Sequence, residues 1–312
     1  MLKKYCIKAV GVFCLPLSLY VLMLLLKPHE FASITTVGIL LQQSFIPTII
    51  GYGLSWGFIV GIWDFTVGAR IILSALIGAS FSVSFGFWGL TVGCIGSSLL
   101  LSLATGGLNW IAKIPSLVIS FGLVMVYEIL GQWYSGSLSL MSLAGKDTFL
   151  GIFPGNMFVF AGSFVLFYLI FNNSPFSYHT RAIGNNELLS KDMGMNVPLV
   201  KFLTYVVGGL FLGIASVLQI SYAGSIGPQV NLTSIALVFR PMIGLIIGLA
   251  LSRICNLAVG IYIGALSINI IFIGIIALGL PDTMQNIFLG VFLLAVMAVS
   301  NLRERAVVKE SV

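Results

Sequence analysis

The sequence predicts an all-α protein, a polytopic membrane helix bundle of about ten transmembrane helices with both termini in the cytoplasm. Three observations support this fold class. Hydrophobic residues make up 59% of the 312 residues and charged residues only 8%, with a mean hydropathy of +1.11, whereas a soluble domain carries about 25% charge. The apolar residues fall into windows of roughly 20 residues, the length of a spanning helix. The basic residues lie almost entirely in alternate connections, as the positive-inside rule requires.

Ten apolar windows are the candidate spans, and none has the alternating pattern of a membrane β-strand. They cover approximately residues 6–26, 36–60, 65–84, 87–105, 115–134, 155–172, 200–220, 232–251, 255–278 and 283–301. The first follows Met-Leu-Lys-Lys without a small-residue cleavage site, which favours a retained span over a signal peptide. We expect one transmembrane domain over residues 1–312.

The distribution of lysine and arginine sets the orientation. With the N-terminus in the cytoplasm, 12 of the 15 Lys and Arg residues fall on the cytoplasmic side. Lys27 and Lys146 fall outside, and Arg240 lies within the eighth span. The same assignment puts the longest polar stretch, residues 173–199, in the cytoplasm. It also accounts for the net charge of +6 without a nucleic-acid partner.

Glycines recur at four-residue spacing in several spans and indicate helices whose backbones pack closely. In the second span, Gly51 and Gly53 follow Pro47. We expect that they could break this helix, because a broken helix frees backbone groups that can line a polar pathway.

Ionisable residues at membrane depth are costly and are therefore candidates for function. Asp64 is expected to cap the third span as an N-cap, and Arg70 either pairs with it or faces lipid headgroups. Glu128 lies in the fifth span without a visible partner. We expect it in a solvated vestibule, with a proton relay as the alternative.

Arg240 and Pro241 interrupt the eighth span. Pro removes a backbone donor, so we expect the helix to break there. Arg240 could satisfy the freed carbonyls or contact a transported solute.

Motifs for covalent chemistry and nucleotide binding are missing from the sequence. Gly145-Lys146 lacks the Walker A context, His29-Glu30 does not continue as HExxH, and there is no GxSxG elbow. The four cysteines and two histidines do not have the spacing of metal ligands. We expect no catalytic residue and no bound cofactor or metal on this chain, so the sequence argues against an enzyme.

The polar stretch contains one amphipathic segment. Asn186-Glu187 is a helix start, Leu188, Leu189 and Met193 fall on one face, and Gly194 ends the helix. From the residues alone, this helix could rest on the lipid bilayer or dock into a groove of a soluble partner.

The same segment resembles the cytoplasmic coupling loop of ribose-type ABC importer permeases, a superfamily that includes ribose, galactoside, autoinducer and branched-chain amino acid permeases. The matching residues are Arg181, Ala182, Ile183, Gly184, Asn186, Gly194, Asn196 and Val197. Weaker matches follow the family order at residues 61–68, 114–122 and 260–266. The stretch from Ser234 to Gly244 departs from the glycine-rich turn of the family.

The resemblance implies the membrane-spanning subunit of an ATP-driven importer in the bacterial plasma membrane. Its partners would be a second permease subunit (the same or a homologous chain), two cytoplasmic ATP-binding domains that hold ATP and magnesium, and an extracytoplasmic substrate-binding protein. The solute would be a sugar or a sugar-like compound. The residues implied to couple to the ATPase are Arg181, Ala182, Gly184, Asn186, Glu187, Leu188, Met193 and Gly194.

Two alternatives stay open. A branched-chain amino acid or nucleoside permease has the same architecture. A stand-alone ion-coupled transporter would need neither an ATPase nor a binding protein, although the shortage of acidic residues at membrane depth argues against it.

Overall fold

A computed structural model describes residues 2–136, 140–143, 148–252, 254–281, 284–285, 287–291 and 294. These residues are almost entirely helical. The α-helices are α1 (Leu2–Leu26), α2 (Pro28–Phe31), α3 (Ile34–Gln43), α4 (Phe45–Ile59), α5 (Val67–Ala112), α6 (Ser116–Tyr134), α7 (Gly155–Asn173), α8 (Pro175–Asn185), α9 (Glu187–Asp192), α10 (Val197–Ala223), α11 (Ala236–Leu251) and α12 (Leu257–Ala277). Two short antiparallel strands, β1 (Met141–Ser142) and β2 (Ser225–Ile226), pair Met141 with Ile226.

Seven helical segments in the described part of the chain are long and apolar enough to cross a membrane. They are Ile34–Ile59, Val67–Ala112, Ser116–Tyr134, Gly155–Asn173, Val197–Ala223, Thr233–Leu251 and Leu257–Ala277. Each of them overlaps one or two of the predicted spans. The polytopic helix bundle is therefore confirmed, while the count of about ten spans stays a prediction.

The longest helix, α5, consists of two arms. Gly86 has φ 58° and ψ −143°, which is not helical, and glycine adopts such a conformation at little cost. The arms then pack side by side, because a Cβ at Gly93 would lie only 2.9 Å from the Cα of Gly78. The predicted third and fourth spans occupy these two arms, and the second arm continues to Ala112.

Close helix crossings form the centre of the bundle. Where α4 crosses α10, a Cβ at Gly53 would lie 3.0 Å from the carbonyl oxygen of Gly208. Where α11 crosses α12, a Cβ at Gly248 would lie 2.7 Å from the Cα of Ile261. The predicted close approach of glycine-bearing helices is confirmed, since any larger residue here would separate the backbones.

The second span is interrupted, but not where the glycines predicted. Helix α4 runs without a break through Pro47, Gly51 and Gly53, so the expected break at Gly51 and Gly53 is wrong. The interruption is limited to Ser44, between α3 and α4, where the helical hydrogen-bond pattern shifts while the backbone keeps αR dihedral angles (φ −80°, ψ −12°). Pro47 lies in the first turn of α4, where its missing N–H would have had no intrahelical partner.

The interruption at Ser44 is compensated by a distant side chain. The backbone N–H of Ser44 donates to Leu41. The carbonyl oxygen of Leu40 accepts instead from the side-chain amide of Asn269 at 3.0 Å and from the hydroxyl of Ser44 at 2.7 Å. A break inside a membrane is stable only when its free backbone groups find such partners.

The predicted break at Pro241 is also wrong. Helix α11 is continuous from Ala236 to Leu251 and contains Pro241 in its interior. Only five residues of α11 precede the proline, so the effect of the missing donor falls close to the start of the helix. Pro241 is buried, and its carbonyl oxygen would lie 3.8 Å from a Cβ at Gly51. Packing against α4 therefore favours the helical conformation.

Candidate coupling surface and solute path

The predicted amphipathic helix of the long polar loop is present as α9. The side-chain oxygen of Asn186 accepts from the backbone N–H of Leu189 at 3.0 Å and caps the helix start. Gly194, at φ +83°, follows its end and donates its N–H to the carbonyl oxygen of Lys191 at 2.9 Å. Both ends are thus defined by local residues, as the sequence predicted.

Helix α9 exposes apolar side chains. Leu188, Leu189 and Met193 are 76%, 56% and 72% exposed, whereas Ser190 on the other side is buried. Exposed apolar residues that are clustered on one helix face mark an interaction surface. We call Leu188, Leu189 and Met193 the coupling face.

The loop is held tightly against the bundle behind this face. A Cβ at Gly184 would overlap the carbonyl oxygen of Ile59, the last residue of α4. Ile183 is buried in a cluster with Val60 and Val197. The ammonium group of Lys201, at the start of α10, donates to the carboxylate of Glu187 at 2.7 Å. The loop therefore contacts the ends of two bundle helices.

Arg181 fixes the corner between α7 and α8. Its guanidinium carbon lies 4.9 Å from the ring centres of both Phe171 and Tyr178. It also donates to the carbonyl oxygens of Phe171, at 3.3 Å, and Ser177, at 3.4 Å. The carbonyl oxygen of its neighbour Ala182 accepts from the backbone N–H of Asn186, the residue before α9, at 3.1 Å. Arg181 and Ala182 orient the loop from behind.

Asp64 and Arg70 form the ion pair that the sequence offered as one alternative. Asp64 also accepts from the backbone N–H of Thr66 at 2.9 Å. Thr66, and not Asp64, is the N-cap residue of α5, so the predicted cap lies two residues further along. Arg70 is 2% exposed and donates to the hydroxyl of Ser102 at 2.7 Å. The pair thus joins the two arms of α5 next to the loop that follows α4.

Glu128 is not in a solvated vestibule, and that expectation is wrong. It is buried, and its carboxylate accepts from the backbone N–H of Leu232 at 2.8 Å and of Ser234 at 3.0 Å. Asn231 and Leu232 have positive φ angles of 59° and 64°, and the 3₁₀ helix Thr233–Ile235 follows. Glu128 satisfies the free donors at the start of this helix. No sequence signal connects residues 104 positions apart.

A cavity of about 460 Å³ opens between α3, α4, α10, α11 and α12. Its polar lining is formed by Gln42, Gln43, Gln219, Tyr222, Arg240 and Gln285. The cavity lies beside the interruption at Ser44 and at the end of α10 that precedes β2. This local irregularity of the second span borders a polar space, whereas the predicted break at Gly51 and Gly53 does not occur.

The structure brings only two of the predicted path residues to this cavity. Arg240 and Pro241 line it, whereas Asp64 and Glu128 lie elsewhere. Gly51 and Gly53 pack against α12 and α10, since a Cβ at Gly51 would lie 2.8 Å from the side chain of Ile261.

The glutamines and Tyr222 are not among the path residues that the sequence predicts, which are charged residues, a proline and glycines. Polar uncharged residues at membrane depth, such as the pair Gln42-Gln43, were the available signal.

No group of three or more His, Cys, Asp or Glu residues that could hold a metal ion occurs in the part of the chain that the structure describes. The cysteines Cys14, Cys94 and Cys255 are free thiols.

Comparison with known proteins places these features in a family. The family model described as the permease component of the branched-chain amino acid transport system matches residues 17–297. The chain is similar to the fructose import permease protein of Rhizobium meliloti, with 24% identity over 289 residues that cover 86% of this chain and 79% of the relative. No solved structure gives a significant match.

Two further relatives are import permeases. The ribose import permease protein of Bacillus subtilis (strain 168) is 27% identical over 274 residues, which cover 82% of this chain and 81% of the relative. The autoinducer 2 import system permease protein of Photorhabdus laumondii is 24% identical over 281 residues, which cover 86% and 82%. Together with the apolar helices, these matches identify a multi-pass protein of the bacterial inner membrane. Since the family model covers most of its length, the chain belongs to the family of branched-chain amino acid transport system permease components, within the ABC importer permeases that its motifs resemble.

Proposed function

We propose that this chain is the membrane-spanning subunit of an ATP-driven importer and forms the path for a sugar or sugar-like solute. The observation that carries the proposal is the coupling face of α9, which presents three exposed apolar side chains on a loop anchored to the bundle. The names of the relatives, which import fructose, ribose and autoinducer 2, support a small polyhydroxylated solute over a branched-chain amino acid.

The coupling face is proposed to dock into a groove on a cytoplasmic ATP-binding subunit. A short amphipathic helix with apolar side chains at helical spacing suits such a groove. The helix carries Glu187 and Lys191 beside Leu188 and Leu189, and it lacks the cluster of basic residues that an anionic lipid surface attracts. The loop as a whole, residues 173–199, would then be the contact with the motor.

A complete importer would contain two such permease subunits, two ATP-binding subunits and an extracytoplasmic substrate-binding protein. ATP and magnesium would be bound by the ATP-binding subunits and not by this chain. We propose a single transmembrane domain over residues 1–312 that exposes this one coupling loop to the motor.

We propose ten spans with both termini in the cytoplasm. The division of α5 at Gly86 adds an eighth spanning arm, and α1 (Leu2–Leu26) is long enough to add a ninth. The described residues between 284 and 294 are helical and overlap the predicted tenth span. In this topology, Arg181, Lys191 and Lys201 lie at the cytoplasmic end together with the coupling face, as the positive-inside rule requires.

The transmission path from motor to solute begins at Gly184. This residue touches the carbonyl group of Ile59 at the end of α4. Ile50, about 14 Å away along the same helix, lines the cavity around Arg240 together with Pro47. A displacement of the loop would therefore move the wall of the cavity, because α4 is continuous between these points. The switch would consist of two packed arrangements of the loop and α4, and ATP binding would shift the populations of these two arrangements.

The test uses the permease with its ATP-binding and substrate-binding partners, reconstituted in liposomes. Leu188→Asp and Met193→Asp should abolish ATP-driven uptake and release the ATP-binding subunit, since each places a charge in the docking groove. Leu188→Met is the matched control and should retain uptake. Uptake by the purified chain alone, driven by an ion gradient, would overturn the proposal in favour of a secondary transporter.

A further inference from the structure

A positive charge lines the cavity of about 460 Å³ between α3, α4, α10, α11 and α12. Arg240 lines it, and its guanidinium carbon lies 4.1 Å from the centre of the Phe272 ring. The one hydrogen bond that Arg240 makes with a described residue is a long one, 3.4 Å, to the side-chain oxygen of Gln285. Among the described residues no carboxylate lies within ion-pair distance of Arg240, whereas the other deeply placed arginine, Arg70, is paired with Asp64.

The geometry of Arg240 leaves donors for a ligand. A guanidinium group carries five N–H donors in its plane, and stacking on Phe272 covers one face of that plane without using them. A charged group at membrane depth that has no counter-ion among the described residues is expensive to keep. An arginine in such a cavity is explained if the solute itself carries the negative charge that pairs with it.

The other polar groups around the cavity suit hydroxyl groups. Gln42, Gln43, Gln219 and Tyr222 offer amide and phenol groups that both donate and accept. The described lining contains no acidic side chain, so an anionic solute would meet no repulsion there. The volume of about 460 Å³ is within the range of small-molecule sites.

We infer that the solute of this permease is a sugar acid, a polyhydroxylated compound with a single carboxylate that binds Arg240 in the cavity. This inference rests on the proposed function. A carboxylate matches the planar fork of one arginine. One cation balances one negative charge, whereas the double charge of a phosphate would require a second cation, and the described lining has none.

The test measures binding to the permease complexed with its ATP-binding subunits in nanodiscs, by equilibrium dialysis with radiolabelled galacturonate, galactose and ribose 5-phosphate. The substrate-binding protein is left out, so that its own selectivity does not enter. Galacturonate should bind at least about tenfold more tightly than galactose, as expected for hydrogen bonds between charged groups. Equal binding of both sugars, or tighter binding of ribose 5-phosphate, would overturn the inference.

Three variants separate the role of Arg240 from a loss of folding. Arg240→Gln should remove the preference for galacturonate while galactose binding is kept. Arg240→Lys should retain part of the preference, because lysine keeps the charge but not the fork. Asp282 lies outside the described residues and is the nearest acidic residue to Gln285 in the sequence, so Asp282→Asn completes the set. Asp282→Asn should leave the preference for galacturonate unchanged. If the preference for galacturonate appears only in Asp282→Asn, Arg240 is neutralised within the protein and the inference is overturned.

The same preparation distinguishes the two levels of proposal. One result would contradict only the substrate class: the ATP-binding subunit binds the wild-type chain and is released by Leu188→Asp, but galacturonate binds no more tightly than galactose. If no ATP-binding subunit associates with the chain, the proposed function itself fails.

Discussion

The contact between Gly184 and Ile59 gives a sharp test of the proposed coupling path. In Gly184→Ala, the added Cβ would overlap the carbonyl oxygen of Ile59 and lie 3.0 Å from its carbonyl carbon. Neither atom can rotate away, because both belong to the backbone. The loop must therefore separate from the end of α4, and overpacking of this kind costs about 1–3 kcal/mol.

A second effect of the substitution has the opposite sign. Gly184 lies within α8, where alanine is favoured over glycine by up to about 1 kcal/mol. Near the last turn of a helix this gain is smaller, so the overlap with Ile59 decides the net effect. We expect a net loss of about 1–2 kcal/mol in loop docking, which corresponds to a 5- to 30-fold change in the populations of docked and undocked loop.

The assay compares ATP hydrolysis with solute uptake in proteoliposomes that contain the complete importer. Gly184→Ala should lower the amount of solute transported per ATP hydrolysed, since the motor still turns over while its motion reaches α4 less effectively. Gly162→Ala in α7 is the matched control, because a Cβ there meets no atom within 4 Å. Wild-type coupling in Gly184→Ala, or an equal loss in Gly162→Ala, would refute the reasoning.

Three further predictions concern the carboxylates of Glu128 and Asp64 and the orientation of the chain in the membrane. Glu128→Gln keeps one acceptor but loses the charge, so we expect a loss of about 1–3 kcal/mol in stability, measured as a lower Tm in detergent. Asp64→Asn leaves Arg70 buried without its counter-ion and should cost about 3–5 kcal/mol, more than the double variant with Arg70→Met; a double variant less stable than the single one would contradict this. In a chain with Cys255 as its one cysteine, an impermeant maleimide should react only from the cytoplasmic side. Burial raises the pKa of the Cys255 thiol, so less thiolate is present at pH 7 and labelling should accelerate steeply toward pH 9; labelling from the outside would contradict the orientation.

Local features of the fold could be predicted from the sequence. The start of α9 at Asn186 and its end before Gly194 depend on residues within one turn of each other, and the apolar windows follow from the thickness of a bilayer. The pairing of Asp64 with Arg70 was likewise within reach, because six residues separate them.

Features that depend on distant partners could not be predicted. The interruption at Ser44 is stabilised by Asn269, 225 residues away, so the glycines and the proline of the second span pointed to the wrong position. Pro241 stays helical because of its packing against α4. Helix propensity, which is all that the local sequence offers, does not include the contribution of this packing. The cavity around Arg240 is lined by residues of α3, α4, α5, α10, α11 and α12 and by Gln285 and Leu289, so its glutamines become a group only in three dimensions.

The contact between Glu128 and the loop before α11 has a consequence for the biogenesis of the protein. Its backbone partners Leu232 and Ser234 are synthesised 104 and 106 residues after the carboxylate. At about 5–20 residues per second, this leaves an interval of about 5 to 20 s. During that interval Glu128 has neither of these backbone partners, and an acidic side chain without partners inside a membrane helix costs on the order of 3 kcal/mol. We therefore expect α6 to need the insertion machinery or neighbouring helices until the second half of the chain arrives, and we expect the speed of translation between the two halves to affect correct assembly.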